Sequence, residues 1–422
     1  MPDFTQIVYQ KAAITAVLSL FIWFLWTFRD RINVAPQQQP MVIWLAFIAL
    51  RILPFIAVYL VFDYDARSDV HMFYVSALDA YKLKLVYKDF DSAYSPVFAY
   101  LTALPLIFWN SPKAIILLLI LIEGLTLQLT FRLYQNGGGV HFRGDNPFHK
   151  ALIYLFLPIP FVLSVLSGQE DLLMWLFGVI CLLVWRERKD DLWVGIVLGI
   201  GMVVTKAILI LTLIPVFFLV RNHIRYILGL LLVGVPSLAI MYWLVGMEFL
   251  EPIQQANDPR TPNLWTILRT AIGPMVPLGA KILNWVGLVL ILGFAGFLGF
   301  YYRQRNRFAD GFVALWVVTY AFMMIVQQSS LANYAYIFIL PMLFATLSFD
   351  KKYHLLVLLL FNFTVVVQPP IWWGMNMPLF KSFADLANPW ALAEYLLEIA
   401  IVGCLIWVIV TQIRSFRAVL TK

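Results

Sequence analysis

The sequence predicts an all-α polytopic membrane protein, and three observations carry that prediction. Of the 422 residues, 62% are hydrophobic and only 13% are charged, against about 25% charged in a soluble domain. The apolar residues fall in runs of about the 20 residues a helix needs to cross a hydrocarbon core. The basic residues lie in short segments between those runs, as in cytoplasmic loops. That placement also argues against nucleic-acid binding, despite a formal net charge of +7, because no basic face or motif gathers.

Taken in order, the first run, Ile7 to Phe28, is too long for a signal-peptide core. It lacks a basic segment before it and a small-residue cleavage site after it, so it reads as a retained helix. Further spans are expected at 41–62, 113–134, 151–167, 172–185, 226–245, 283–302, 311–327, 331–349, 353–368 and 390–413. The stretch 192–220 is too long for one span and is broken at Thr205-Lys206, which fits two short helices meeting at the lysine. The stretch 95–109 starts with Ser95-Pro96 and contains Pro105, so it dips into the membrane or lies along it. The expected total is about 11–13 transmembrane helices. Residues 1–40 are expected to form an N-terminal helix and cytoplasmic loop, 41–225 a central module with the loop 63–94, and 226–422 the C-terminal helices with loops 246–282 and 369–389.

Charge assigns the sides. Arg29, Arg132, Arg143, Lys150, Arg186, Arg188, Arg221, Arg225, Arg303, Arg305, Lys351, Lys352, Arg414, Arg417 and Lys422 can share one face. The cytoplasm then holds the carboxyl terminus, with the amino terminus outside. The outer loops 63–94, 246–282 and 369–389, the turn Ser167–Asp171 and Lys206 share the opposite face. These connections are long and aromatic, so the chemistry is expected there.

Three groups of residues could carry it. The first loop holds Asp63, Asp65 and Asp69, then apolar residues at helical spacing (Val70, Phe73, Ala77, Tyr81, Leu85). That spacing predicts an amphipathic surface helix with Asp69 near its N-terminus, where negative charge is stabilised and a carboxylate can act as a base. Helix capping and solvation account for the acids equally well. The polar turn Ser167-Gly168-Gln169-Glu170-Asp171 is the second group, and turns need polar residues in any case. Lys206, in an apolar stretch, calls for an anion such as phosphate, or for snorkelling to headgroups. The third group, Gln327-Gln328-Ser329-Ser330 with Asn333 and Tyr334, suits sugar hydroxyls or an interfacial aromatic belt. Arg260, Arg269, Trp265, Trp372, Trp373 and Lys381 could close over a polar head group. Cys181 and Cys404 lie inside apolar runs, so no disulfide or thiolate metal site is expected.

Read in order, these pieces resemble the polytopic GT-C glycosyltransferases, closest to glycosyltransferase family 87 and the polyprenyl-phosphate-mannose-dependent mannosyltransferases. Ser68-Asp69-Val70-His71-Met72-Phe73-Tyr74 with Tyr87 and Tyr94-Ser95-Pro96 is similar to that family's first outer loop. Ser167 to Leu173 is similar to its "GQ-N/D-LL" turn, Gly195 to Pro215 with Lys206 to its lysine segment, and Gln328 to Pro341 to its late polar helix start. The ordered likeness covers about the first half of the chain and one later helix.

The resemblance implies a GT-C bundle and an inverting transfer of mannose or another hexose from a polyprenyl-phosphate donor to a lipid-linked or glycan acceptor. The site would face outward from the inner (plasma) membrane. In it Asp69 is the base, with Asp65 as the alternative. Lys206 faces the donor phosphate, and His71, Tyr94, Gln169, Glu170, Asp171, Arg260, Gln328, Asn333 and Tyr334 bind substrate. No cofactor or metal is expected. His71 and Glu170 depart from the family pattern. A transporter or flippase is the alternative, and a glycan polymerase using Arg260 and Arg269 is a third reading.

Overall fold

The computed structural model describes residues 4–135, 145–250, 258–304 and 307–420, with side chains to 415. Arg143, Arg305, Lys422, the Arg417 side chain and residues 251–257 of loop 246–282 lie outside that description. The chain is helical, and among the described residues no strand forms. Eight helices are long and apolar enough to cross a bilayer, or nine if one bent pair counts as a single span. They are α1 (Phe4–Phe28), α2 (Gln39–Val61), α5 (Pro112–Gln135), α11 (His223–Val245), α13 (Lys281–Arg303), α14 (Phe308–Val326), α16 (Lys352–Gly374) and α17 (Pro389–Leu420). Between α2 and α5 lie α3 (Val70–Tyr81) and α4 (Pro96–Ile107). The bent pair is α6 (Pro147–Phe156) and α7 (Pro158–Leu166), followed by α8 (Leu172–Arg188), α9 (Asp191–Val204) and α10 (Ala207–Leu219). Two short helices complete the set, α12 (Leu264–Ile272) and α15 (Ile339–Ala345).

Lipid is the only solvent that fits this surface. Helix α11 leaves Leu232, Val235, Leu238, Tyr242 and Trp243 exposed, whereas almost all of α14 is enclosed. An apolar surface of that extent is stable against hydrocarbon and not against water. Packing between spans follows from small residues. On α9 and α11, Gly195 and Gly229 face each other, and a Cβ on either would lie within 2.2 Å of the opposite helix's backbone carbonyl (2.2 Å to Tyr226 O, 2.1 Å to Leu192 O).

Local signals explain the boundaries. Helices α4, α5, α6, α7 and α17 begin at proline, whose missing N–H costs nothing in the first turn. Asn146 caps α6, Asp190 caps α9 and Asn263 caps α12 through side-chain acceptors.

The expectation at 151–167 is refined and that at 331–349 is corrected. The first is two helices meeting at 49° across Leu157-Pro158, because proline cannot continue the ladder. The second is a 3₁₀ turn, Ala332–Ile337, followed by the short α15. Helices α4, α9 and α10 are each shorter than a straight span, so 11–13 full crossings exceed what length and composition support. The break in 192–220 falls where expected, with Lys206 joining α9 to α10.

The proline break at 157 is used. Within the spans, Arg51 Nε lies 3.0 Å from both Glu123 oxygens, and Arg51 Nη1 donates to Leu155 O at 2.9 Å, just before the break. Both side chains are fully buried. A charge in hydrocarbon persists only when paired in this way. The connections also gather into two ends. Loops around 63–94, 167–171, 205–206, 258–263 and 327–334 hydrogen-bond to one another, and Phe4 packs on Gly374 and Trp390 near loop 369–389. Elsewhere Asp191 accepts from Arg221 N and Asn222 N, Lys150 Nζ donates to Phe344 O and Leu347 O, and Trp26 Nε1 donates to Phe349 O.

Candidate functional site

Three segments distant in sequence meet at the start of α3. The chain leaves α2 through a loop anchored by Lys113, which donates to Tyr59 O at 2.9 Å and to Asp63 Oδ1 at 2.5 Å. The hydrogen bond and charge of Lys113 hold the Asp63 carboxyl below its usual range. Ser68 then takes φ 61°, an unusual conformation for a residue with a side chain, and turns the chain into α3. Asp69 stands at the N-cap, yet its side chain makes no capping bond. It is met instead by Gln169, whose Nε2 donates to Asp69 Oδ2 at 3.0 Å and to Ser68 Oγ at 3.2 Å.

The turn 167–171 reaches Asp69 only because residue 168 is glycine. Gly168 has φ 55°, and a Cβ there would lie 2.4 Å from Val70 Cγ2, in the first turn of α3. The third segment arrives from the 3₁₀ turn, where Asn333 Nδ2 donates to Gln169 Oε1 at 2.6 Å.

Beside this chain sits a buried charge cluster. Lys206 Nζ is 2.7 Å from Asp171 Oδ1 and also contacts a Glu170 carboxylate oxygen. The lysine side chain is 15% exposed, and the two acids are essentially closed to solvent. The ammonium lies 5.1 Å from the Tyr94 ring centre and 5.4 Å from that of Tyr334. Glu170 Oε2 and Asp171 Oδ2 have no hydrogen-bond partner. Burial pushes the Glu170 carboxyl up to about 7, with Asp171 adding to the rise and Lys206 opposing it. Burial likewise raises Asp171. For Lys206, burial lowers basicity, but Asp171 and Glu170 more than offset it and keep the ammonium charged. The Asp69 charge is close enough to act on Tyr94, Glu170 and Asp171.

A pH effect follows. Glu170 is harder to ionise in the fold than in the unfolded chain, so the fold binds more protons between its ordinary value near 4.5 and about 7. Its contribution to stability is therefore complete below that window and is lost as pH rises through about 7. The midpoint of thermal unfolding should fall from mildly acidic to mildly alkaline buffer, and Glu170→Gln should flatten that slope. An equally steep slope in the variant would remove Glu170 as its source.

The other expected residues divide. Tyr94 is buried and stacks on Phe98, bordering a cavity of about 180 Å³ lined also by Met72, Phe73, Ser76 and Asp91. Arg260 is half-buried and its charge acts on Tyr334. Asp65 and His71 are exposed, and neither makes a contact with the cluster. Two of the expected residues are already engaged. Lys206 is held by two carboxylates, so the anions its ammonium meets in this structure are Glu170 and Asp171. Gln328 is also committed: its Oε1 accepts from Gly279 N, its Nε2 donates to Ala280 O, and its carbonyl accepts from Arg260 N and Asn263 Nδ2. It ties the described part of loop 246–282 to the end of α14. Trp265 and Trp372 are similarly bound to carbonyls, of Val326 and Pro378.

The sequence reading passed over one constellation. Glu394 and Glu398, one turn apart on α17, are fully buried. Thr261 Oγ1 and Gln368 Nε2 donate to Glu394 Oε1 at 3.1 and 2.6 Å, and Thr266 Oγ1 donates to Glu398 Oε1 at 2.8 Å. Two acids four apart inside an apolar run were the available signal. Among the described residues, no three His, Cys, Asp or Glu side chains are grouped to hold a metal ion. No protein-family model matches the chain, and neither a curated protein nor a solved structure is similar to it.

Proposed function

We propose that this protein is an inverting glycosyltransferase of GT-C type, moving mannose or another hexose from polyprenyl phosphate to a hydroxyl of a lipid-linked or glycan acceptor. The observation that carries the reading is Asp69: a part-exposed carboxylate with one oxygen held by Gln169, next to a buried charge cluster, at the end where the aromatic loops meet. In this reading the acceptor oxygen attacks the anomeric carbon as Asp69 takes its proton. The bond from that carbon to the phosphate oxygen breaks on the opposite face, and polyprenyl phosphate leaves with the electron pair. Arg260 replaces Lys206 as the cation for the phosphate, since no ion pair engages it among the described residues. Lys206 instead keeps Glu170 and Asp171 in place beneath Tyr94 and Tyr334. Alignment of two reactants held at the membrane boundary supplies much of the remaining rate.

The test is transfer by the purified protein in lipid nanodiscs, with polyprenyl-phosphate mannose and a lipid-linked glycan acceptor. Acceptor-dependent release of polyprenyl phosphate with an inverted product is expected. Movement of lipid-linked sugar across vesicles without release would favour a transporter or flippase. One feature suits that second reading: the buried Glu394–Glu398 pair, with no basic partner among the described residues and with Glu394 Oε2 unbonded.

A further inference from the structure

We infer that Asn333 is a positioning residue for Asp69, acting through the amide of Gln169 to fix which carboxylate oxygen stays open as the base; this rests on the reading of Asp69 above.

The argument is one of hydrogen-bond direction. An ionised carboxylate can only accept, so the Gln169 group facing Asp69 must be its NH₂. That NH₂ has two protons, and the structure spends both, on Asp69 Oδ2 and Ser68 Oγ. The Gln169 carbonyl oxygen must therefore point the other way, toward a donor. Asn333 Nδ2 supplies that donor at 2.6 Å, the shortest link in the chain. Gln169 is buried and Asn333 half-buried, so water competes poorly for these bonds. Asp69 Oδ2 is tied down, and among the described residues Oδ1 accepts no hydrogen bond.

Without Asn333, the buried Gln169 carbonyl oxygen loses its donor, and only the two bonds from its NH₂ to Asp69 and Ser68 hold the amide in register. The wall around Asp69 is already acidic, with Glu170, Asp171 and the Tyr94 phenol within its field and only Lys206 opposing them. Arg67 and His71 are exposed on either side of it in sequence. Against that wall, the Gln169 amide is the side chain that donates a hydrogen bond to the Asp69 carboxylate. The link also explains why the 3₁₀ turn, late in the chain, approaches the first outer loop: it delivers one donor.

The experiment reads Asp69 directly. Protein in nanodiscs is treated with a water-soluble carbodiimide and an amine nucleophile at a fixed, mildly acidic pH, and amide formation at Asp69 is quantified by peptide mass spectrometry. Asn333→Asp replaces the donor to Gln169 with an acceptor, and Gln169→Glu sets a second carboxylate against Asp69, so each should release Oδ2 and raise Asp69 labelling severalfold over wild type. Asn333→Ala, the milder variant, should raise it by less and serves if Asn333→Asp does not fold. Transfer should lose kcat in these variants with KM little changed. Labelling equal to wild type in folded Asn333→Ala and Gln169→Glu overturns the inference. Raised labelling in a protein whose wild type transfers nothing would leave the positioning intact and sink the transferase reading instead.

Discussion

Lys206→Met is expected to destabilise the fold by about 3–5 kcal/mol, the usual cost of removing one partner from a buried ion pair. The substitution keeps most of the side-chain volume and deletes one ammonium. Glu170 and Asp171 would then face each other with no cation, in a place where both are essentially closed to solvent. Asp69 adds a third negative charge to the same field. A lower thermal midpoint in detergent or nanodiscs is the measurement. The triple variant Lys206→Met, Glu170→Gln, Asp171→Asn removes both acids' charge and should recover most of the loss, since the penalty belongs to the uncompensated carboxylates. If the single variant melted like wild type, the cluster would not be the buried ion-pair triad described here.

For Asp69→Asn the expected outcome is the reverse: little change in stability and a loss of transfer of about 100- to 10,000-fold, the range supplied by a general base. Asparagine has the same shape, and its carbonyl oxygen can still accept from Gln169 Nε2. The side chain is part-exposed and makes no capping bond, so the helix start does not depend on its charge. The contrast with Asp65→Asn identifies the base, because Asp65 is exposed and should be replaceable with full activity. Transfer by Asp69→Asn within a few-fold of wild type would remove Asp69 from the mechanism.

The parts of the site that the sequence announced share one property. Each was a polar residue where lipid or an apolar run made polarity costly. Lys206 interrupts 29 apolar-rich positions, 192–220. The turn 167–171 separates two buried segments, and Asp69 precedes a helical apolar pattern. The parts whose partners the sequence left open share another property. Lys206 was expected to need an anion, and it does, but the anions are two residues of its own chain. Sequence position says that a buried charge needs a partner and does not say which partner lies within 3 Å. Gln328 was open for the same reason, since an amide can clasp a backbone as readily as a sugar.

By itself, then, the sequence determined the solvent of this protein, most of the long helices, the break at Lys206, and several of the polar groups that had to be paired. Composition and the run length of apolar residues fix these, because the bilayer penalises every unpaired polar group locally. Only the tertiary structure decided the pairings: Asn333 to Gln169 across 164 positions, Gln169 to Asp69 across 100, and Lys206 to Asp171 across 35. Those choices depend on how spans pack through contacts as close as Gly168 against Val70. Packing of that kind is a property of two surfaces together, and neither segment's sequence contains it.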